Sequence, residues 1–173
     1  MPRVTLGVAI SVPSPWAEQL SDWRRRVGDP EGGRVPPHVT LLPPTAVTGA
    51  TWEAIDDHLE RAAAGTAPFE LHLSGTGTFR PVSDVVFVVV AAGIAQCEQL
   101  ESRVRSGPLE RENRFPYHPH VTVAHDIAPE GLDAAYAGLA GFDARFPVTG
   151  FTAFAQGEAG VWLPRREFAL EGD

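Results

Sequence analysis

Two triplets with identical letters, His38-Val39-Thr40 and His120-Val121-Thr122, are the residues of this 173-residue chain whose types and spacing best suit chemistry. In an extended strand, side chains i and i+2 share a face. Each histidine therefore stands beside its threonine, while the valine between them points the other way, into a core. Two imidazoles opposed across one phosphorus atom could open a cyclic phosphodiester: a neutral ring takes a proton from water, and a protonated ring gives one to the departing ribose oxygen. An unperturbed pKa of about 6.5 makes both forms accessible near neutrality. The threonine hydroxyls can donate to non-bridging phosphate oxygens as charge builds up on them. This chemistry calls for no metal or cofactor.

Other residues could complete such a site. Arg34, Arg80 and Arg114 fall in loops expected beside the cleft, and a guanidinium fork matches phosphate oxygens. Phe115 and Tyr117, just ahead of the second triplet, have the aromatic faces on which an unpaired nucleobase stacks. His118 and His120 at i and i+2 could instead chelate a metal, with His125 or Asp126 as further ligands. Pro36 occupies the corresponding place before His38, so a metal there would break the symmetry of the two triplets. Otherwise His118 and His125 read as surface residues or as partners orienting a catalytic ring. His58 and His72 read as exposed on a helix and a strand, and Arg24, Arg25 and Arg26 as a solvated helix face. Trp16, Trp23, Trp52 and Trp162 read as core packing, and Cys97 as a buried helix residue.

The elements that must position the two triplets repeat. Val4–Ser11 is short, β-branched and apolar, hence a strand. A helix follows from Ser14, with Pro15 in its first turn, to near Gly28. After a Gly/Pro-rich loop comes a short strand at His38–Leu42, closed by Pro43 and Pro44. A helix runs from about Thr51 to Gly65 with Trp52, Ile55 and Leu59 at helical spacing, and an alternating strand spans Phe69–Phe79. The order then restarts: strand Val85–Val90, helix Ile94–Arg105, loop Ser106–Pro119, strand His120–Ala124, and a helix around Leu132–Leu139. Two last strands are expected at Phe146–Gln156 and Val161–Leu170. The repetition predicts an α+β fold of two pseudo-symmetric lobes, mostly antiparallel sheet with outer helices. It forms a single bilobal domain over residues 1–173, with approximate halves 1–80 and 81–173 and strands free to exchange between lobes.

Composition narrows the partners. Apolar residues at 43% and charged residues at 21% are those of an ordinary globular chain. The 17 glycines and 16 prolines exceed average usage of roughly 7% and 5%, and imply many turns. A net charge of −8 repels polyanions, which argues against coating long nucleic acid while leaving room for a small anion in a local pocket. All 14 basic residues are arginine, which excludes lysine nucleophiles and Schiff bases. One cysteine allows no internal disulfide and suits a reducing compartment, the cytoplasm. No secretory signal or membrane-spanning run is visible, and a monomer is the default at this size.

The words PPHVTLL at Pro36–Leu42 and HPHVTVA at His118–Ala124 resemble the twin His-x-Thr motifs of the 2H phosphoesterase superfamily, in particular its bacterial 2′-5′ RNA ligase-like, or LigT-like, branch. The similarity runs from Val4 to Leu170 and includes Gly77-Thr78-Phe79. It implies a duplicated α+β fold and hydrolysis of 2′,3′-cyclic phosphate ends of RNA or nucleotides to 2′-phosphates, with reversible 2′-5′ joining in some members. It further implies His38 and His120 as acid and base, and Thr40 and Thr122 as phosphate holders. The alternatives are a non-catalytic nucleotide- or phosphate-binding module on the same fold, or a metal-dependent hydrolase built on His118 and His120.

Overall fold

Residues 3–48, 51–157 and 160–173 are described in the computed structural model. Their order is β1 (Arg3–Ser11), α1 (Trp16–Arg26), β2 (His38–Thr48), α2 (Trp52–Ala64), β3 (Phe69–Thr78), β4 (Val85–Ala92), α3 (Ile94–Val104), β5 (His120–His125), α4 (Pro129–Gly138), β6 (Asp143–Val148), β7 (Gly150–Gln156) and β8 (Trp162–Ala169). The eight strands form one antiparallel sheet in the order β6-β3-β4-β5-β2-β1-β7-β8, giving an α+β fold. No helix among the described residues is long and apolar enough to cross a membrane.

The helices are amphipathic, and their apolar stripes meet the sheet in one core. In α2, Ile55, Leu59, Ala62 and Ala63 are buried at helical spacing; in α3, Cys97, Leu100 and Val104 are. Burial pushes the Cys97 thiol up to about 12, so it is packing and not a nucleophile. The strands supply the other half of the core, with Leu6, Val39, Leu41, Leu73, Val88 and Val121 fully enclosed.

Two features depart from the sequence expectation. β2 does not stop at Pro43 but runs on to Thr48, paired with β1 through Leu6–Thr45 and Val4–Val47. Its other neighbour, β5, meets it at Val39. Beyond Leu42 the prolines therefore face no second ladder that would need their missing N–H groups. The stretch Phe146–Gln156 is two strands broken at Thr149: β6 joins β3, while β7 joins β1. One intervening residue reaches only about 3.3–3.6 Å per step, so the two ends of the sheet must curl toward each other. Along the sheet, β3 lies with β4, β5 and β6, while β7 and β8 lie with β1 and β2.

Three polar side chains are more enclosed than expected. His58 is buried, with Nε2 2.9 Å from the Val104 carbonyl, and links α2 to the end of α3. His72 is half-buried and pairs with Asp143 across β3 and β6 at 2.6 Å. Arg24 is not part of a solvated face: its Nε lies 2.7 Å from Asp29, and both side chains are buried. The Asp29 carboxylate also accepts the N–H groups of Glu31 at 2.9 Å and His125 at 3.0 Å, tying the end of α1 to the end of β5. Asp29→Ala would leave the Arg24 charge enclosed without its partner. Denaturant unfolding should show a loss of about 3–5 kcal/mol, as for other broken buried pairs.

Candidate active site

Strands β2 and β5 are neighbours, and Val39 faces Val121 across the ladder. Both valines are fully buried, whereas His38, Thr40, His120 and Thr122 are all half-exposed. Carrying that antiparallel register one residue either way sets Thr40 opposite His120 and His38 opposite Thr122, at Cβ separations of about 4.5–5.5 Å typical of such pairs. The two triplets thus present their polar side chains on one face, opposite the core.

Each imidazole is oriented by the same local device. His38 Nδ1 lies 2.7 Å from the Pro36 carbonyl, and His120 Nδ1 lies 2.6 Å from the His118 carbonyl. A carbonyl only accepts, so Nδ1 carries the proton in both rings. Nε2 is then left to accept a proton when the ring is neutral and to donate when it is charged. Burial, the largest influence, pulls both pKa values below the ordinary histidine value; the carbonyl bonds oppose it. Arg24 lowers His38 further, and the imidazoles of His118 and His38 lower His120 further.

The His120 ring rests on an aromatic floor. Phe79 and Phe87 pack with centroids 4.6 Å apart, and the rings of His118 and His120 stand 5.1–5.4 Å from them. Gly77 makes that floor possible, because a Cβ there would come within 2.7 Å of the Phe87 ring. Phe79 and Phe87 were not singled out from the sequence as site residues, although Gly77-Thr78-Phe79 was a visible signal.

Two cavities adjoin the pair, and Thr40 lines both. The one at His38, about 190 Å³, is walled by Val35, Pro36, Leu42, Pro44, Phe154 and Trp162 over Gly7. The one at His120, about 600 Å³, is walled by Phe79, Ser83, Arg111, Asn113, Arg114, Phe115, Tyr117 and His118. The structure thus brings Arg114, Phe115 and Tyr117 together beside His120. Phe115 is 62% exposed, with the Arg114 guanidinium 5.4 Å from its ring centre. The Tyr117 hydroxyl is used structurally, donating to the Thr40 carbonyl at 2.7 Å, and burial raises its pKa so that it stays a donor.

Two of the expected arginines are elsewhere. Arg80 turns away to Asp133 on α4 at 2.8 Å and to Thr78 at 3.3 Å. Arg34 is exposed beside Glu31 at 3.8 Å and lines neither cavity. In each case a nearby acidic partner captures the guanidinium. Thr122 also lines neither cavity and reaches the site only through its register opposite His38. Arg111, which does line the His120 cavity and bonds Thr45 at 3.2 Å, was missed. Trp162 is a cavity wall and not core packing, while Trp16, Trp23 and Trp52 pack against the core. His118 Nδ1 is 3.4 Å from His120 Nδ1, but His125 pairs with Asp126 instead. No group of three or more His, Cys, Asp or Glu placed to hold a metal ion occurs among the described residues.

A curled antiparallel sheet with two His-x-Thr pairs abreast at its centre is the arrangement of a 2H phosphoesterase. Residues 12–159 match the 2′-5′ RNA ligase superfamily, and the chain belongs to that family. A Bacillus thuringiensis (strain Al Hakam) protein named "Putative phosphoesterase" is 29% identical over 171 residues, covering 95% of this chain and 96% of the relative. Crystal structures of E. coli LigT with NADP+ and with phosphate each align with a TM-score of 0.73 and 27% identity over 98% of this chain and 99% of theirs.

Two outcomes follow. NMR titration should place His38 and His120 below about 6.5, the ordinary value, and added inorganic phosphate should raise at least one of them. Because the folded values lie below the unfolded ones, the unfolded chain binds more protons in that window. Stability due to these rings is therefore intact above about pH 6.5 and falls as the pH drops through the folded values. Gly77→Val, which drives Phe87 into the histidine floor, should cut phosphoesterase kcat by about 10²-fold, the cost of misplacing reacting groups by an ångström.

Proposed function

We propose that this protein hydrolyses 2′,3′-cyclic phosphodiesters of RNA ends or nucleotides to 2′-phosphates without a metal, with His38 and His120 as the acid–base pair. The observation that supports the reading is the Val39–Val121 pairing, which sets the two His-x-Thr triplets side by side with Nδ1 of each ring already bonded to a main-chain carbonyl. One neutral ring takes a proton from water as its oxygen attacks phosphorus. The other, protonated, gives its proton to the 3′-oxygen as the P–O3′ bond breaks. The rings end with exchanged protonation, and solvent restores them. The negative charge of the bound phosphate favours the protonated ring that burial alone would disfavour.

Thr40 and Thr122 hold the non-bridging oxygens, with Arg111 and Arg114 drawing in the anion and Phe115 stacking on a base. With a ribose 5′-hydroxyl attacking phosphorus in place of water, the same step forms a 2′-5′ linkage and again releases the 3′-oxygen. Crystallisation of E. coli LigT with phosphate and with NADP+ supports a nucleotide-sized ligand. The net charge of −8 supports short RNA over long duplexes. The buried lone thiol fits a monomer in the reducing cytoplasm.

The test is incubation of the purified protein with 2′,3′-cyclic nucleotides in EDTA, with products resolved as 2′- or 3′-phosphates. Wild type should release the 2′-phosphate, and His38→Ala and His120→Ala should each lose about 10²–10⁴ in kcat. Binding without turnover would replace this reading with a phosphate-binding module. Turnover only on adding a divalent metal would move the chemistry to His118 and His120 as ligands.

A further inference from the structure

The two cavities flanking the histidine pair differ in kind. The His120 cavity carries Arg111, Arg114 and an exposed aromatic ring, the inventory for phosphates and an open base. The His38 cavity, apart from His38 itself, has no ionisable side chain on its walls. Hydrolysis needs only a water on the far side of phosphorus from the leaving oxygen. A water needs about 10–15 Å³ of such space, whereas this cavity has about 190 Å³. Its walls are Trp162, Phe154, Pro36 and Pro44, and its floor is Gly7, where a Cβ would crowd the Trp162 ring at 3.2 Å. Flat, uncharged and apolar walls around a slot that opens on a catalytic ring suit a nucleobase, which every such face can stack.

We propose that the Trp162 slot is a nucleobase subsite for a second nucleoside, so that the full site is matched to a dinucleoside phosphate spanning the histidine pair. Resting on the phosphodiester reading above, this deepens it by naming what lies on both sides of phosphorus. Thr40, shared by the two cavities, marks where the bridging phosphate sits. The slot contributes stacking and no charge, while the arginine loop contributes charge, so the two nucleosides are held by different forces. Binding to the slot side should accordingly be insensitive to salt, unlike binding to the loop.

Calorimetric titration can isolate the second nucleoside. A 2′-5′-linked diadenosine phosphate whose 2′-phosphorylated residue is 3′-deoxyadenosine lacks the 3′-hydroxyl needed to close the ring and expel the second nucleoside, and stays intact. The 2′-methyl phosphodiester of 3′-deoxyadenosine has the same charge but no second base. Wild type should bind the linked dinucleotide about tenfold or more tightly than the methyl ester, the scale of one base stacked on an aromatic side chain. Trp162→Ala should bring that ratio to about one, and so should Gly7→Val, which fills the floor and serves if the tryptophan variant does not fold. A wild-type ratio near one, or an unchanged ratio in folded variants, overturns the subsite. Wild-type turnover of cyclic mononucleotides is measured alongside. Turnover with a ratio near one refutes only the subsite, and a high ratio without turnover refutes only the catalytic reading.

Discussion

One ladder contact, Val39 against Val121, sets the geometry of everything else in the site. With both valines sunk in the core, the residues on either side of each must stand on the opposite face. Because strand side chains alternate with a period of two, a slip of one residue would send the histidines into hydrocarbon and the valines into water. The register is therefore held by the hydrophobic effect, and the polar constellation is its by-product. Further ties reinforce it: the Pro37 carbonyl takes the Val12 N–H at 3.1 Å, and Asp29 grips the far end of β5 through His125.

On this near-symmetric backbone the side chains are not symmetric. Both rings are turned by a carbonyl two residues upstream, so the protonated nitrogen is fixed by main chain and survives any change of side chain at Pro36 or His118. Around them the two sides diverge. One histidine meets an apolar slot, and the other meets an arginine-bearing loop and a neighbouring imidazole. Burial lowers the pKa of both rings, and the carbonyl bond to each Nδ1 opposes it.

The loop that carries Arg111 to Tyr117 is tethered at both ends. Arg105 bonds the enclosed Glu101 at 2.8 Å and the Arg111 carbonyl at 3.1 Å, and Tyr117 is anchored on Thr40. Glu101, which lines the His120 cavity, is tolerated there because Arg105 neutralises it. The local potential can then differ in sign from a chain that is acidic as a whole.

Much of this was written in short-range pattern. The two His-Val-Thr triplets, the alternation along the strands, the helical stripes of α2 and α3, and the placing of Arg114, Phe115 and Tyr117 just before a motif strand all depend on neighbours within a few residues. Periodicity and spacing report such features directly. What only the tertiary structure decided depends on residues far apart in the chain. Asp133 draws Arg80 off the cleft, Asp143 pairs with His72, the Asp29 that encloses Arg24 also takes the N–H of His125, and the break at Thr149 sends β6 and β7 to opposite ends of a curled sheet. The aromatic floor and the Trp162 slot belong with these. Each brings together side chains from segments that are adjacent in space and distant in sequence, and no local pattern encodes which of a residue's available partners it will meet.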